Sequence, residues 1–171
     1  MSPTLVLGMG NPILSDDGLG LEVARRLRRL PMPDGVEIAE SEVAGLRLLE
    51  LLRGYRKAIL VDALKTGRPA GEIVRLDAND FRGGHRWGSA HSIHLGTALE
   101  LGEELGYAMP TECVVYAVEA DDVETFGEEL CPAVAEAAGT VVGMVYDEVW
   151  SDTTTATPTG PEAAWKPPAS R

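Results

Sequence analysis

The chain has 171 residues, 44% of them apolar, enough for one domain that buries roughly two thirds of its unfolded surface. Its 27 Asp and Glu against 15 Lys and Arg give a formal net charge of −12, which repels nucleic-acid phosphates and anionic lipid headgroups and argues against both as partners. The two cysteines, Cys113 and Cys131, form neither a CxxC pair nor a dense framework, so reduced, packed thiols are expected rather than a zinc ribbon or a disulfide scaffold.

In chain order, residues 4–7 are apolar and stop at Gly8-Met9-Gly10-Asn11-Pro12, which predicts a buried strand running into a turn. Leu21, Val23, Ala24, Leu27 and Leu30 then recur at helical spacing, with Arg25, Arg26, Arg28 and Arg29 on the outer face. This predicts a helix over 20–30, ended by Pro31 and Pro33. Residues 36–38 read as a short strand, and 45–52, dense in leucine, as a helix closed by Gly54. Ala58-Ile59-Leu60-Val61-Asp62 shows no polar alternation before its acid. That is the pattern of a strand covered on both faces, with Asp62 at its carboxyl end.

Strands over 72–76 and 113–118 and helices over 93–105 and 128–149 complete an alternation of strand and helix. The expected fold is doubly wound α/β, a mostly parallel twisted sheet of about five strands flanked by helices in a three-layer sandwich. One domain is expected over 1–150, followed by a disordered Thr/Pro/Ala-rich tail over 151–171. The N-terminus has no basic region ahead of its apolar run, and no stretch approaches about 18 uninterrupted apolar residues, so a cytoplasmic protein is expected.

In open α/β sheets, ligands bind beyond the carboxyl ends of the strands, and three places there carry acids or histidines. The first is the loop Gly8-Met9-Gly10-Asn11-Pro12-Ile13-Leu14-Ser15-Asp16-Asp17-Gly18. A dinucleotide fingerprint would need its third glycine at Ile13, and Asp16 and Asp17 put negative charge where a pyrophosphate would sit. For these aspartates, capping and dipole compensation at the helix start compete with a role in the cleft, and one can do the first while the other does the second. The second place is Asp62, whose plainer reading is a loop cap. The third is Ser89-Ala90-His91-Ser92-Ile93-His94-Leu95, where His91 reads as a cap, a surface residue or a ligand. His94 falls with the apolar set of the helix, and His85 has no partner signal.

Two carboxylates and one imidazole at strand exits suit a divalent borderline metal with open positions, nickel or zinc sooner than copper(I). Other hydrolase signatures are missing: the sequence has no G-x-S-x-G elbow and no H-E-x-x-H, and neither cysteine sits in a nucleophile motif.

The opening Leu5-Val6-Leu7-Gly8-Met9-Gly10-Asn11-Pro12 through Ser15-Asp16-Asp17-Gly18-Leu19-Gly20, with Val61-Asp62-Ala63 and His91-x-x-x-Leu95-x-x-x-Leu99, resembles the hydrogenase maturation peptidases. These are endopeptidases that process nickel–iron hydrogenase large subunits. The resemblance implies three metal-contacting side chains matching Asp17, Asp62 and His91, in a site shaped by Gly8, Gly10, Asn11 and Asp16. The family often has Glu where this chain has Asp17, which keeps the carboxylate and shortens its reach. Glu119-Ala120-Asp121-Asp122 stands where many members carry a Gln/Glu-Pro segment, and Leu130-Cys131-Pro132 where Leu-Ser/Thr-Pro is usual.

The implied reaction removes the C-terminal extension of a nickel-loaded large-subunit precursor, the precursor's own nickel serving as the recognition signal. Asp17 and Asp62 are then candidates for activating water as well as for contacting metal. A protein that shares its substrate's nickel is expected to hold no tightly bound metal when purified, and to act as a monomer or weak oligomer. A self-contained, aminopeptidase-like metallohydrolase and a non-catalytic chaperone of hydrogenase assembly are the alternatives. The acidic excess would suit a basic extension on the precursor, although a charge excess is more often a solvated face.

Overall fold

A computed structural model describes residues 3–42, 46–77 and 90–155, with 46, 90–94 and 153–155 described by backbone alone. The elements run β1 (Thr4–Met9), a 3-10 turn (Ser15–Gly18), α1 (Leu19–Leu27), β2 (Val36–Ser41), α2 (Leu46–Leu52) and β3 (Lys57–Leu64). They continue with β4 (Ile73–Asp77), α3 (Ala90–Glu104), β5 (Glu112–Glu119) and α4 (Pro132–Thr155). The sheet order is β2-β1-β3-β5-β4. β2, β1, β3 and β5 pair in parallel, and β4 is an antiparallel edge on β5.

Strand alternation splits the core into two layers. Leu5, Leu7, Leu60, Leu64 and Val115 face one side with Leu48, Leu52, Leu95 and Leu99 of α2 and α3. Val6, Ile59, Val61, Val114 and Val118 face the other with Leu19, Val23, Val134 and Val141 of α1 and α4. This is the expected three-layer α/β sandwich. The central strands read as unbroken apolar runs because both of their faces are covered.

Several element ends differ from the sequence expectations; β1 runs on to Met9 and β2 to Ser41. α1 stops at Leu27, and the amides of Arg29 and Leu30 tighten to the carbonyls three residues back, at Arg26 and Leu27. β3 runs on to Leu64, so Asp62 lies inside the strand, paired across from Ala117, rather than at its end. α3 begins at Ala90, which puts His91 in its first turn. α4 starts at Pro132, because the amide of Cys131 is turned onto Asp16, and proline suits the first helical position. It continues to Thr155, so the first residues assigned to the tail are helical, and 156–171 lie outside the described residues. None of the described helices is long and apolar enough to cross a membrane.

The extension of α4 has a physical cause. Lys57, buried at the start of β3, places its Nζ 2.8 Å from both Glu148 and Asp152 of α4. Glu148 also receives Arg75 at 3.3 Å and the hydroxyl of Tyr116. Burial alone would raise the Glu148 pKa and lower that of Lys57, but these partners reverse both shifts. The Tyr116 phenol is pushed up to about 12, by burial first and then by Glu148.

Because folding lowers the Glu148 pKa, its contribution is present above the ordinary carboxylate range and is lost as pH falls through the folded value. Lys57 works in the opposite sense: its contribution is present below the ordinary lysine range and is lost as pH rises through its raised pKa. Glu148→Gln is therefore expected to cost about 2–3 kcal/mol at neutral pH by leaving the buried Lys57 underpaired. In thermal melts across pH, the variant and the parent should converge only as pH falls below the ordinary carboxylate range and through the lowered pKa of Glu148, where the parent's carboxylate is itself protonated.

Candidate active site at the carboxyl edge

β1 leads through α1 to β2 on one side, and β3 lies on the other side of β1, so the chain reverses direction between β1 and β3. Crevices open at such a switch point, beyond the carboxyl ends of the two strands. Two glycines let the loop after β1 lie directly on this edge. A Cβ on Gly20 would stand 2.2 Å from the Met9 carbonyl oxygen and 2.3 Å from that of Val61, and one on Gly8 would stand 2.0 Å from the Gly20 oxygen. The start of α1 thus rests on the backbone of β1 and β3, at a distance no larger residue permits.

Gly10 has φ +147°, and a Cβ there would meet the Asp17 carbonyl oxygen at 1.8 Å. The turn closes on itself through the Asn11 amide, which donates to the Asp17 carbonyl at 3.2 Å and to Asp17 Oδ2 at 3.0 Å. Asp17 is half-buried, held by its own loop beside the end of β3. Asp62 is buried, its Oδ1 receiving the Ala63 amide at 3.0 Å. By alternation with Leu60 and Leu64 it belongs to the face of the sheet that carries α2 and α3.

α3 feeds through a short connection into the start of β5, so it runs back across the sheet and its first turn stands toward the carboxyl edge. His91 occupies that turn, and its side chain, like that of His94, lies outside the described residues; His85 lies outside them altogether. Among the described residues no three His, Cys, Asp or Glu side chains gather as a metal site.

The two aspartates of the loop have separate roles, and neither supplies a side-chain cap to the 3-10 turn or to α1. Asp16 is fully buried. Its Oδ2 accepts the amides of Asp121 and Asp122 at 2.9 and 3.0 Å, and its Oδ1 the amide of Cys131 at 2.7 Å. It pins both ends of the connection between β5 and α4. Glu119 does the same for the connection between β3 and β4. One of its oxygens accepts the amides of Thr66, Gly67 and Arg68, and the other accepts the Thr66 hydroxyl.

Burial would raise the Glu119 pKa, but the Thr66 hydroxyl and the three amides hold it below the carboxylate range. Sequence reasoning offered Asp16 as a cap, a cleft residue or a shaper of the loop, not as this anchor, and missed the clamp at Glu119. The signal available was an acid ending a buried strand opposite the turn-prone Lys65-Thr66-Gly67.

The two site loops are also stitched together. Ser15 donates its amide to Gly127 O at 2.7 Å and its hydroxyl to Thr125 O at 3.0 Å, and Gly127 returns its amide to Ile13 O at 3.0 Å. Ser15 adopts φ 44° to do so, a conformation costing about 1–2 kcal/mol for a residue with a Cβ. Beside this seam lies a cleft of about 690 Å³, lined by Pro12, Ile13 and Gly18 on one side and by Glu128, Glu129 and Leu130 on the other. Its described lining includes neither Asp17 nor Asp62; it adjoins the loop that carries Asp17.

Neither thiol offers a nucleophile. Neither cysteine is in a disulfide, Cys113 is buried in β5, and burial together with the Asp16 carboxylate pushes the Cys131 thiol up and away from the reactive thiolate.

The model for the HycI hydrogenase maturation protease family matches residues 21–148, about three quarters of the chain. A putative hydrogenase maturation protease of Methanocaldococcus jannaschii is 30% identical over 99 residues, covering 56% of this chain and 64% of that protein. The hydrogenase expression/formation protein HupD of Rhodobacter capsulatus is 28% identical over 135 residues, 77% of this chain and 63% of that protein. The chain thus spans just under two thirds of the length of these relatives. The fold is that of the hydrogenase maturating endopeptidase HybD from E. coli, with a TM-score of 0.76 at 24% identity over 88% of this chain and 93% of that one. On sequence and fold together, the chain belongs to the hydrogenase maturation protease family.

Proposed function

We propose that this protein is a cytoplasmic endopeptidase that removes the C-terminal extension of a hydrogenase large-subunit precursor and recognises the precursor by the nickel already in place there. The observation that carries this reading is the placement of Asp17 and Asp62 on either side of the switch point between β1 and β3. Asp62 shares its sheet face with the helix whose first turn carries His91. In this reading the donor set offered by Asp17, Asp62 and His91 to a metal that arrives with its own ligands is O,O,N.

In the reaction, one of the two carboxylates takes a proton from the attacking water as its oxygen bonds to the scissile carbonyl carbon. The C–N bond then breaks and the released amine takes up the proton. The substrate's nickel, held by the same side chains, fixes the distance between that carbonyl and the base. A site of this kind gains from weak metal affinity of its own, since a resident ion would occupy the positions that the precursor's nickel must use.

The test is incubation with nickel-loaded and nickel-free precursor, followed by mass spectrometry of the large subunit's C-terminus. Shortening of the loaded form alone is expected. Shortening of neither favours an assembly chaperone, and shortening of both removes nickel from the recognition step.

A further inference from the structure

Phe126 is 80% exposed and Ile13 48% exposed, and the seam through Gly127 brings their two loops together. Contiguous exposed apolar surface marks interaction sites, and the backbone beneath this pair is firmly held. Asp16 anchors the loop bearing Phe126 at both ends. Asp122, its carboxyl held at about 2 by the Thr125 hydroxyl and the amides of Thr125 and Glu124, turns the chain just before the aromatic ring.

Acids dominate the charge around the ledge, the exception being Lys65, whose ammonium sits on the Asp121 carbonyl beside Asp122. Arg25 and Arg26, on the helix beside the cleft, are neutralised by Glu40 at 3.0 Å and Glu22 at 2.7 Å. Glu124, Glu128 and Glu129 flank Phe126 on the exposed surface and have no ion-pair partner among the described residues. An apolar step rimmed by uncompensated carboxylates fits a segment with an apolar anchor between Lys or Arg residues.

We propose that Ile13 and Phe126, with the Glu124, Glu128 and Glu129 rim, form the surface on which the hydrogenase precursor docks a basic segment with an apolar anchor. This places the precursor's metal centre over Asp17, four residues along the same loop from Ile13. The inference rests on the proposed function for the identity of the partner. The ledge adjoins the cleft and the carboxylate loop at once, so a chain seated on it needs only to cross the turn at Asp17 to reach the site.

The test measures steady-state cleavage of each nickel-loaded large-subunit precursor of the source organism, together with binding by surface-immobilised precursor. Phe126→Ala is expected to raise KM about 30-fold with kcat nearly unchanged, as for loss of a central aromatic anchor. The double variant Glu128→Lys, Glu129→Lys should raise KM and weaken its dependence on salt. Leu105→Ala, also exposed but just beyond the far end of α3, should behave as the parent.

Wild-type KM in the Phe126→Ala protein would overturn the docking surface while leaving the peptidase reading intact. If the parent binds the precursor without shortening it, the peptidase reading fails, and the loss or retention of binding in Phe126→Ala still decides the surface. Failure of the parent to bind any of these precursors would overturn both.

Discussion

Asp62→Asn is expected to abolish removal of the precursor's extension, with kcat/KM falling by about 10³-fold or more, while the protein stays folded. The substitution is nearly isosteric, and the hydrogen bond from the Ala63 amide to Oδ1 at 3.0 Å can be kept by the amide oxygen of asparagine. Asp62 is buried in β3 among apolar neighbours, and removing a charge there does not remove a packing volume. A melting temperature near that of the parent combined with lost cleavage would thus assign the defect to chemistry or metal contact. Asp17→Asn should lose activity similarly, its amide oxygen keeping the hydrogen bond from the Asn11 amide that helps close the turn. Cleavage by Asp62→Asn at the parental rate would remove this carboxylate from both proton transfer and metal contact.

Much of the fold was legible from periodicity. The unbroken run in β3 announced a strand covered on both faces, the apolar run of β1 a buried strand, and the arginines of α1 its solvent side. The ends of elements were less legible because tertiary contacts set them. β3 outruns the run that suggested it because Ala63 and Leu64 pair with Val118 and Glu119, partners that no local pattern reveals. α4 runs past Trp150 although Thr and Asp are poor helix formers, and the buried Lys57 facing Asp152 supplies the compensating contact. In the site, glycine spacing pointed to a tight turn, but its purpose, the seating of Gly20 on the carbonyls of Met9 and Val61, depends on two strands that are distant in sequence. The acids offered the least local information. Asp16 and Asp17 are adjacent and chemically identical, and only the arrival of the connection between β5 and α4 makes one a buried anchor and leaves the other at the crevice.

That separation leads to the second large effect. Asp16→Ala is expected to destabilise the fold by about 3–5 kcal/mol, since three amides lose a charged, fully buried acceptor with little water to replace it. For a chain of this size the melting temperature should drop by roughly 10–15 °C. Asp16→Asn should fall between Ala and the parent. It retains one oxygen, but whichever way the amide is turned its NH₂ faces an amide donor, either that of Cys131 or those of Asp121 and Asp122. The two variants also predict a chemical signature. Loss of the carboxylate removes one of the influences that hold the Cys131 thiol up, so the thiol should react faster with an alkylating reagent in both variants at temperatures where they remain folded. Cleavage would suffer through KM, because the connection that Asp16 anchors presents Phe126 and one wall of the cleft, and through kcat only to the extent that Asp17 moves with its neighbour. A variant that melts with the parent, or one whose defect lies wholly in kcat, would place Asp16 in the chemistry instead of in the support beneath it.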